Sequence, residues 1–100
     1  MTGIDRNGSL PEEVWESIRQ VLTERLGYQL ESLQARPEED YSGEVVIAID
    51  AYHPLLDREV DPRVTYKLPG ILREALLEQG ESRYPLIRHH FQQDQEVASP

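Results

Sequence analysis

The strongest constraint on the fold is a run of apolar residues in the middle of the chain. Residues 44–52 contain five consecutive apolar side chains, from Val45 to Ile49. Successive side chains of a strand point to opposite faces of a sheet, so an unbroken apolar run is typical of a strand buried on both sides. We therefore predict a central β-strand over 44–52, and the rest of the chain has to supply its neighbours.

A helix is predicted before this strand. Ser9, Pro11 and Glu12 fit a capping box, in which the Ser side chain caps the first turn and Pro occupies a position that needs no backbone donor. The apolar residues that follow fall on one helical face: Val14, Trp15, Ile18, Val21, Leu22 and Leu26. Trp15 has the largest apolar area and should anchor the core. Gly27 suits the left-handed residue that ends a helix.

A second strand is predicted over residues 28–36. The apolar residues of this segment change face half-way along, so we expect either a bulge near residues 31–32 or a strand with mixed faces. Residues 37–43 are predicted to be a loop because they combine Pro, Ser and Gly with acidic residues. The short connection favours an antiparallel hairpin between this strand and the central one.

A second helix is predicted after a polar connector. Asp61 and Pro62 fit the N-cap and the first helical position, and apolar residues follow at helical spacing as far as Gly80. Pro69 lies inside this pattern and removes a backbone donor. We therefore expect either a kinked helix or two helices, over 62–67 and 69–79.

A third strand is predicted over residues 84–91, with Pro85 at its start and a short helix as the alternative. The predicted fold class is α+β, in the order α-β-β-α-β, with an antiparallel sheet of about three strands and two helices packed on one face. Residues 9–91 should form a single domain, with a disordered arm over 1–8 and a disordered tail over 92–100.

The charge of the chain limits its partners. The net charge is −9 over 100 residues. Phosphate backbones and anionic membranes are bound by clustered Lys and Arg, so we expect neither nucleic acid nor membrane as a partner. Cys is absent, which excludes disulfides and Cys nucleophiles. Neither a secretory signal nor a motif for a cofactor is found, so we expect a cytoplasmic protein without a cofactor.

Acidic residues after the central strand are the first candidates for chemistry. Asp50 closes the strand, and Glu59 and Asp61 follow in the connector; nucleases and phosphotransferases use carboxylates at strand ends as metal ligands. The connector from Asp57 to Pro62 lacks the spacing of a calcium loop. We interpret these acids as a solvated connector that ends in a helix cap, with a metal site as the alternative.

The histidines form the second candidate set. His89 and His90 are adjacent, so on a strand they point to opposite faces and are unsuited to sharing one metal ion. We interpret all three histidines as surface or rim residues. An acid/base pair of His53 with Asp50 or Asp57 is the alternative.

The third candidate is a stripe on the second helix. Tyr66, Gly70, Arg73 and Leu77 are spaced i, i+4, i+7 and i+11, which places them together opposite the apolar face. Tyr and Arg are enriched at protein-binding hot spots, so we predict that Tyr66, Arg73 and Leu77 bind protein. In the alternative, Tyr66 precedes the helix and Leu77 widens its buried face.

The fourth candidate is the acidic segment Glu38, Glu39 and Asp40, with Glu44 close behind it. Such a run is either a solvated turn or a docking site for a basic protein surface, with fast and salt-sensitive association. We include these three acids among the protein-binding residues.

These features favour a small, acidic, non-catalytic protein-interaction domain. Its partner would be a basic protein, which the chain covers as an inhibitor or immunity-type protein does, or a second copy of itself. The alternative function is a metal-dependent hydrolase or nuclease that uses Asp50, Glu59 and Asp61. A third hypothesis is a small-ligand pocket near Tyr52 and His53.

Overall fold

The computed structural model describes residues 10–57 and 59–92, which contain two helices and three strands. In chain order these are α1 (Glu12–Leu26), β1 (Ser32–Glu39), β2 (Val45–Tyr52), α2 (Pro62–Glu78) and β3 (Pro85–His90). The α+β class and the predicted order of the elements are confirmed.

The sheet is mixed, with β2 in the centre and the order β1-β2-β3. β1 and β2 are antiparallel and pair one to one from Ser32–Tyr52 to Glu39–Val45, so the expected bulge is absent from this pairing. β3 runs parallel to β2. The prediction of an antiparallel sheet is therefore wrong for β3, because α2 acts as a crossover connection that carries the chain back along the sheet.

One buried cluster joins the helices to the sheet. Its residues are Leu10, Val14, Trp15, Ile18, Leu22, Ala35, Ile47, Ile49, Leu68, Leu72 and Leu76. α1 and α2 contact each other, and Ala35, Ile47 and Ile49 share one face of the sheet through the pairing of β1 with β2. Trp15 is 7% exposed and belongs to this cluster, as predicted.

The opposite face of the sheet is polar at its edges and apolar at its centre. Val46, Ala48 and Asp50 point to this side of β2 and are also buried, so the prediction of a central strand covered on both sides is confirmed. We call this side the polar face; its residues are Gln34, Arg36, Glu38, Val46, Ala48, Asp50, Tyr52, Leu86, Arg88 and His90.

The start of α1 differs from the prediction. The helix begins at Glu12 with Pro11 as its N-cap, whereas Pro11 is predicted to lie in the first turn. The rest of the predicted capping box depends on Ser9, which lies outside the described residues. Gly27 ends the helix with a φ angle of +83°, as predicted.

The bounds of β1 are also shifted. The strand starts four residues later than predicted and continues through Pro37 to Glu39, so the first three residues of the predicted loop are strand. Pro37 is tolerated because β1 is an edge strand, where a residue without an N–H can face away from its neighbour. The connection to β2 shrinks to a tight turn, in which Gly43 adopts a φ angle of +91°.

α2 is one continuous helix that includes Pro69, so the predicted split into two helices is wrong. Leu68, Leu72 and Leu76 are buried on both sides of the proline, and this packing outweighs the loss of a single backbone hydrogen bond. The side chain of Asp61 accepts a hydrogen bond from the N–H of Arg63 and caps the helix, as predicted.

The predicted third strand is confirmed, with bounds one residue inside the predicted ones at each end. The predicted arm and residues 93–100 of the predicted tail lie outside the described residues. Gln92, the first residue of that tail, donates a side-chain hydrogen bond of 2.8 Å to Glu31.

Candidate functional site

The outer face of α2 carries the predicted protein-binding stripe. Tyr66 is 86% exposed and Leu77 is 45% exposed. Both lie within the helix, so the alternative in which Tyr66 precedes it and Leu77 joins its buried face is wrong. We define the outer face of α2 by its exposed residues after Pro62, which are Arg63, Tyr66, Lys67, Gly70, Arg73, Glu74, Leu77 and Glu78.

Gly70 lies at the middle of this face without a structural reason inside the chain. A Cβ atom at this position would meet nothing within 4 Å, and the backbone is helical rather than left-handed. A glycine in an exposed helix interior lowers stability by about 1 kcal/mol relative to alanine. What the glycine offers is the close approach of another surface to the helix backbone.

A shallow groove crosses α2 at Gly70. Its lining includes Tyr66, Lys67, Gly70, Ile71 and Glu74 of α2, and Tyr84 just before β3. Tyr84 is 47% exposed, so two tyrosines flank the groove. Tyr84 is predicted only as part of a strand, and no local pattern of the sequence indicates that it lines this groove.

The charge of α2 differs from that of the whole chain. The helix carries three basic and two acidic residues, whereas the net charge of the chain is −9. Arg63 pairs with Asp61 at the start of the helix. Among the described residues, the other four charges of the outer face, on Lys67, Arg73, Glu74 and Glu78, form no ion pair. These charges are available to a partner.

The acidic segment over residues 38–40 is not a loop. Glu38 and Glu39 are the last residues of β1, and only Asp40 belongs to the turn that follows. Glu38 points to the polar face, 3.4 Å from Arg88 and 3.9 Å from Arg36. This carboxylate is therefore partly neutralised by residues of its own chain.

Asp40 has a structural role in the turn. Its carboxylate accepts hydrogen bonds from the hydroxyl and the N–H of Ser42 and from the N–H of Glu44. These hydrogen bonds lower the pKa of Asp40 below its ordinary value. Of the three acids proposed to dock a basic surface, Glu39 is exposed on the strand, and the other two are engaged within the chain.

Asp50 forms the centre of an ion-pair network on the polar face. Arg88 donates two hydrogen bonds to its carboxylate, both of 3.1 Å, and the ring of His90 lies 2.9 Å from the same group. Arg36 lies 3.7 Å away on the other neighbouring strand. β2 places Asp50 between Gln34 of β1 and Arg88 of β3, so the register itself brings these groups together.

The network fixes the charge of Asp50. Burial alone would raise the pKa of this carboxyl, but the hydrogen bonds from His90 and Arg88 outweigh burial and hold the pKa below its ordinary value. The same hydrogen bonds raise the pKa of Arg88. Asp50 is thus an ionised residue neutralised by guanidinium groups, an environment that does not favour an additional cation.

The acids proposed for the alternative hydrolase are not brought together. Asp61 caps α2 and pairs with Arg63, and Glu59 is exposed in the connector. No group of three or more histidine and acidic side chains within residues 10–57 and 59–92 could hold a metal ion. The geometry of the described part therefore gives no support to a metal-dependent mechanism that uses Asp50, Glu59 and Asp61.

His53 and His89 form a partly buried hydrogen-bonded chain with Tyr28, which the sequence did not reveal. The hydroxyl of Tyr28 lies 2.8 Å from Nδ1 of His53, and Nε2 of His53 lies 2.8 Å from Nδ1 of His89. The ring of Phe91 stacks on His53 at 4.2 Å. His53 is fully buried, so its interpretation as a surface or rim residue is wrong.

Both ring nitrogens of His53 are occupied, which excludes the acid/base pair with Asp50 or Asp57. Asp50 interacts with His90 instead, and the ring of His90 stacks on Tyr52. His89 and His90 belong to separate clusters on opposite faces of β3, as their adjacency predicts. The arrangement around Tyr52 and His53 is filled by aromatic rings and does not support a ligand pocket there.

The geometry of this hydrogen-bonded cluster constrains the protonation of its histidines. Since two ring nitrogens face each other at 2.8 Å, a single proton lies between His53 and His89. Burial lowers the pKa of His53 to about 4, with further contributions from the charges of His89 and His90. Burial also lowers the pKa of His89. Tyr28 lies just after α1, His53 just after β2, and His89 in β3. The hydrogen bonds between them therefore link these three parts of the fold.

No protein-family model, curated protein sequence or solved structure matches the chain. Neither helix of the described part is long and apolar enough to cross a membrane.

Proposed function

We propose that this chain is a small, non-catalytic protein-interaction domain that binds a protein partner through the outer face of α2. The observation that carries the proposal is the outer face of α2 around Gly70, where the helix retains a destabilising glycine in a groove that two exposed tyrosines line. Tyr66 and Tyr84 supply the large, amphipathic side chains that dominate protein interfaces.

The ionisable groups support the same conclusion. The buried or partly buried ones are satisfied by each other, in the network of Asp50 with Arg88 and in the chain of Tyr28 with His53 and His89. A catalytic group has to be available to a substrate, whereas these side chains hold strands and loops together. The unpaired charges of the described surface include four on the outer face of α2.

The acidic segment gives only weak support for a basic partner. The outer face of α2 gives stronger support for a protein partner, whatever the charge of that partner. Glu38 and Asp40 are engaged within the chain, so an inhibitor-like mode of binding would depend on Glu39 and on acids elsewhere. We therefore place the binding surface on α2 and assign the acidic segment a structural role in the β1–β2 turn.

Site-specific photo-crosslinking tests the location of the surface. A benzophenone amino acid is introduced at Tyr66, and in a matched control at Tyr41, which is also fully exposed but lies in the β1–β2 turn. We expect a defined protein crosslink from Tyr66 and none from Tyr41. Equal crosslinking from the two positions, or none from Tyr66, would contradict the proposal.

Truncation of side chains on the outer face of α2 provides the second test. Tyr66→Ala and Leu77→Ala should abolish the crosslink from a probe placed at Tyr84, because hot-spot side chains contribute disproportionately to binding. Both residues are exposed, so the variants should retain the free energy of unfolding of the parent chain within about 0.5 kcal/mol. A crosslink that survives both substitutions would place the binding surface elsewhere.

A further inference from the structure

We infer that the partner of the outer face of α2 is a second copy of this chain, with the two α2 helices antiparallel and crossing at Gly70. This inference rests on the proposed function and names its partner. It follows from the order of charges along the helix and from the absence of a side chain at the crossing point.

The charges on the outer face are self-complementary about Gly70. Lys67 lies three residues before Gly70, and Glu74 lies four residues after it. In a twofold antiparallel pair, residues on the same edge of the helix and at nearly equal distances on either side of the crossing point face each other. Lys67 of one copy then faces Glu74 of the other, and the symmetry repeats this opposite-charge contact.

The remaining residues of the face follow the same symmetry. Arg63 lies seven residues before Gly70 and Glu78 eight residues after it, which gives a second pair of opposite charges. Tyr66 lies four residues before Gly70 and Arg73 three after it, so the guanidinium meets the aromatic ring. All four side chains are exposed and can reach across the interface.

The sides of the helix are consistent with this pairing. At 100° per residue, Lys67 and Glu74 lie on one edge of the outer face, and Tyr66 and Arg73 lie on the other. A twofold axis perpendicular to both helices keeps each edge on its own side of the pair. In a parallel pair the twofold axis runs along the helices and exchanges the two edges, so Lys67 would lie beside Tyr66 of the other copy and Glu74 beside Arg73. The contact between Lys67 and Glu74 therefore belongs to the antiparallel pair alone.

Gly70 allows the two backbones to approach. Small residues at the crossing point of two helices bring the axes close together, and Gly70 is the exposed residue with no side chain at the middle of the face. The symmetric contact also places Ile71 beside Gly70 of the other copy, in the groove that Tyr66 and Tyr84 flank.

Charge also distinguishes a second copy from a basic partner. A strongly basic protein would be drawn to the surfaces that carry the net negative charge, which α2 does not, since it has three basic and two acidic residues. Two acidic copies can approach closely only through a face that is locally near neutral. The outer face of α2 meets that condition.

Sedimentation equilibrium of the full chain, with charge reversals at the facing pair, tests the inference. We expect a reversible dimer with a dissociation constant of about 1–100 µM. Lys67→Glu and Glu74→Lys should each weaken dimerisation at least about tenfold, because each creates two like-charge contacts per dimer. The double variant Lys67→Glu/Glu74→Lys should regain the affinity of the parent chain to within about threefold.

The direction of the Glu74→Lys effect separates pairing from general repulsion. This substitution makes the net charge less negative, so reduced repulsion alone would strengthen self-association, whereas the proposed contact predicts that it weakens. Matched controls on α1 change the net charge by the same amount: Arg25→Glu for Lys67→Glu, and Glu24→Lys for Glu74→Lys. The controls should change the dissociation constant by less than about threefold.

A mixture of the two single variants tests the antiparallel pairing directly. In a heterodimer of Lys67→Glu with Glu74→Lys, both facing contacts are again between opposite charges. We expect a one-to-one mixture to dimerise at least about tenfold more tightly than either variant alone. A mixture that associates no better than its components would overturn the inference.

A single introduced cysteine tests the crossing point, since the chain contains no other thiol. Gly70→Cys should form a disulfide-linked dimer on mild oxidation, because the two copies meet at this residue. Glu78→Cys should not, because the two thiols of an antiparallel pair are separated by about sixteen helical residues, or about 24 Å. Equal crosslinking of Glu78→Cys would indicate a parallel pair and overturn the proposal.

The failure of this inference can be distinguished from failure of the proposed function. A parent chain that stays monomeric up to about 1 mM overturns the homodimer. If the probe at Tyr66 then crosslinks a different protein and the control at Tyr41 does not, the proposed function stands with another partner. If the probe at Tyr66 crosslinks nothing, both proposals are wrong.

Discussion

His53 is the residue whose environment differs most from what its type suggests. It is fully buried, both ring nitrogens are hydrogen-bonded, and burial lowers its pKa to about 4. A histidine in such a site is neutral at physiological pH and acts as a cross-link between distant segments. Its partners Tyr28 and His89 come from the segments that follow α1 and end β3.

The folded state should lose stability as the pH falls from 6.5 towards 4. In the unfolded chain His53 titrates near 6.5 and in the folded chain near 4, so between these values the unfolded chain binds more protons. The contribution is fully present above pH 6.5 and amounts to about 3 kcal/mol when lost. Urea unfolding followed by the fluorescence of Trp15 over this range measures it.

His53→Phe provides the control for this pH dependence. The aromatic ring of the variant can still stack on Phe91, but it does not titrate. The slope of the unfolding free energy between pH 6.5 and 4 should therefore decrease. Asp50 does not interfere, because its pKa is lowered and its contribution is lost only below this range. An unchanged slope in the variant would contradict the role of His53.

Asp50 should contribute more to stability than the exposed acids. Asp50→Asn leaves Arg88, Arg36 and His90 without their common anion, so the free energy of unfolding should fall by about 1–3 kcal/mol. Glu16→Gln, which breaks the exposed pair with Arg19, is the matched control and should cost less than about 0.5 kcal/mol. Equal losses in thermal or urea unfolding would show that the network is not cooperative.

At the scale of elements, α2 is stabilised by its inner face and weakened at its outer face. Leu68, Leu72 and Leu76 are fully buried, while Pro69 and Gly70 between them are the two poorest helix formers. The packing of the inner face therefore keeps α2 helical even though the helix contains two residues that disfavour a helix. This division is what permits a groove in the middle of a continuous helix.

Gly70→Ala should stabilise the folded monomer by about 1 kcal/mol, because the Cβ atom meets nothing and the helix gains propensity. Gly27→Ala is the contrasting variant: it also has free space, but a φ angle of +83° strains any side chain, so it should destabilise by about 1 kcal/mol. Both are measured by urea unfolding at submicromolar concentration, below the expected dissociation constant of the dimer, so that association does not contribute. The same sign for both variants would contradict this account.

The elements differ in how well the sequence predicts them. β2 and α2 were predicted because a local apolar pattern determines each of them. The direction of β3 was not, because it depends on which neighbour it pairs with after a crossover of one helix. The start of β1 was misplaced because Tyr28 and Leu30 have the composition of a strand, although Tyr28 instead reaches His53.

The residues of the candidate site divide in the same way, into those that a local sequence pattern predicts and those that depend on tertiary contacts. The exposure of Tyr66 and Leu77 follows from helical spacing and was predicted correctly. The chain of Tyr28, His53 and His89 spans separations of 25 and 36 residues, and no local pattern indicates such contacts. The contribution of Tyr84 to the groove was missed for the same reason, since it depends on how β3 lies against α2.

At the scale of the whole molecule, the distribution of charge separates two kinds of surface. The net charge of −9 resides outside α2, on elements such as α1, which carries four acidic and two basic residues. Like charges that surround one small core repel each other and oppose the compact state. The chain tolerates this because its most buried carboxylate, Asp50, is paired with arginine.

Added salt should therefore stabilise the fold. Raising NaCl from about 0.02 M to about 0.5 M should increase the free energy of unfolding by a few tenths of a kcal/mol to about 1 kcal/mol, because screening weakens the net repulsion. The double variant Glu13→Gln/Glu24→Gln is less negative and should show a smaller increase. Thermal unfolding at both salt concentrations measures the effect, and a decrease with salt would mean that surface ion pairs outweigh the repulsion.

The parallel pairing of β2 with β3 has a consequence for biosynthesis. The central strand receives its second neighbour only from the last described strand, after the whole of α2, and the cross-link from His53 to His89 closes at the same moment. A nascent chain that ends before β3 exposes one edge of its most apolar strand and leaves the buried imidazole of His53 without its hydrogen-bond partner His89. Native structure should therefore arise in one late step, once β3 has left the ribosome, and until then the apolar segment needs protection from aggregation.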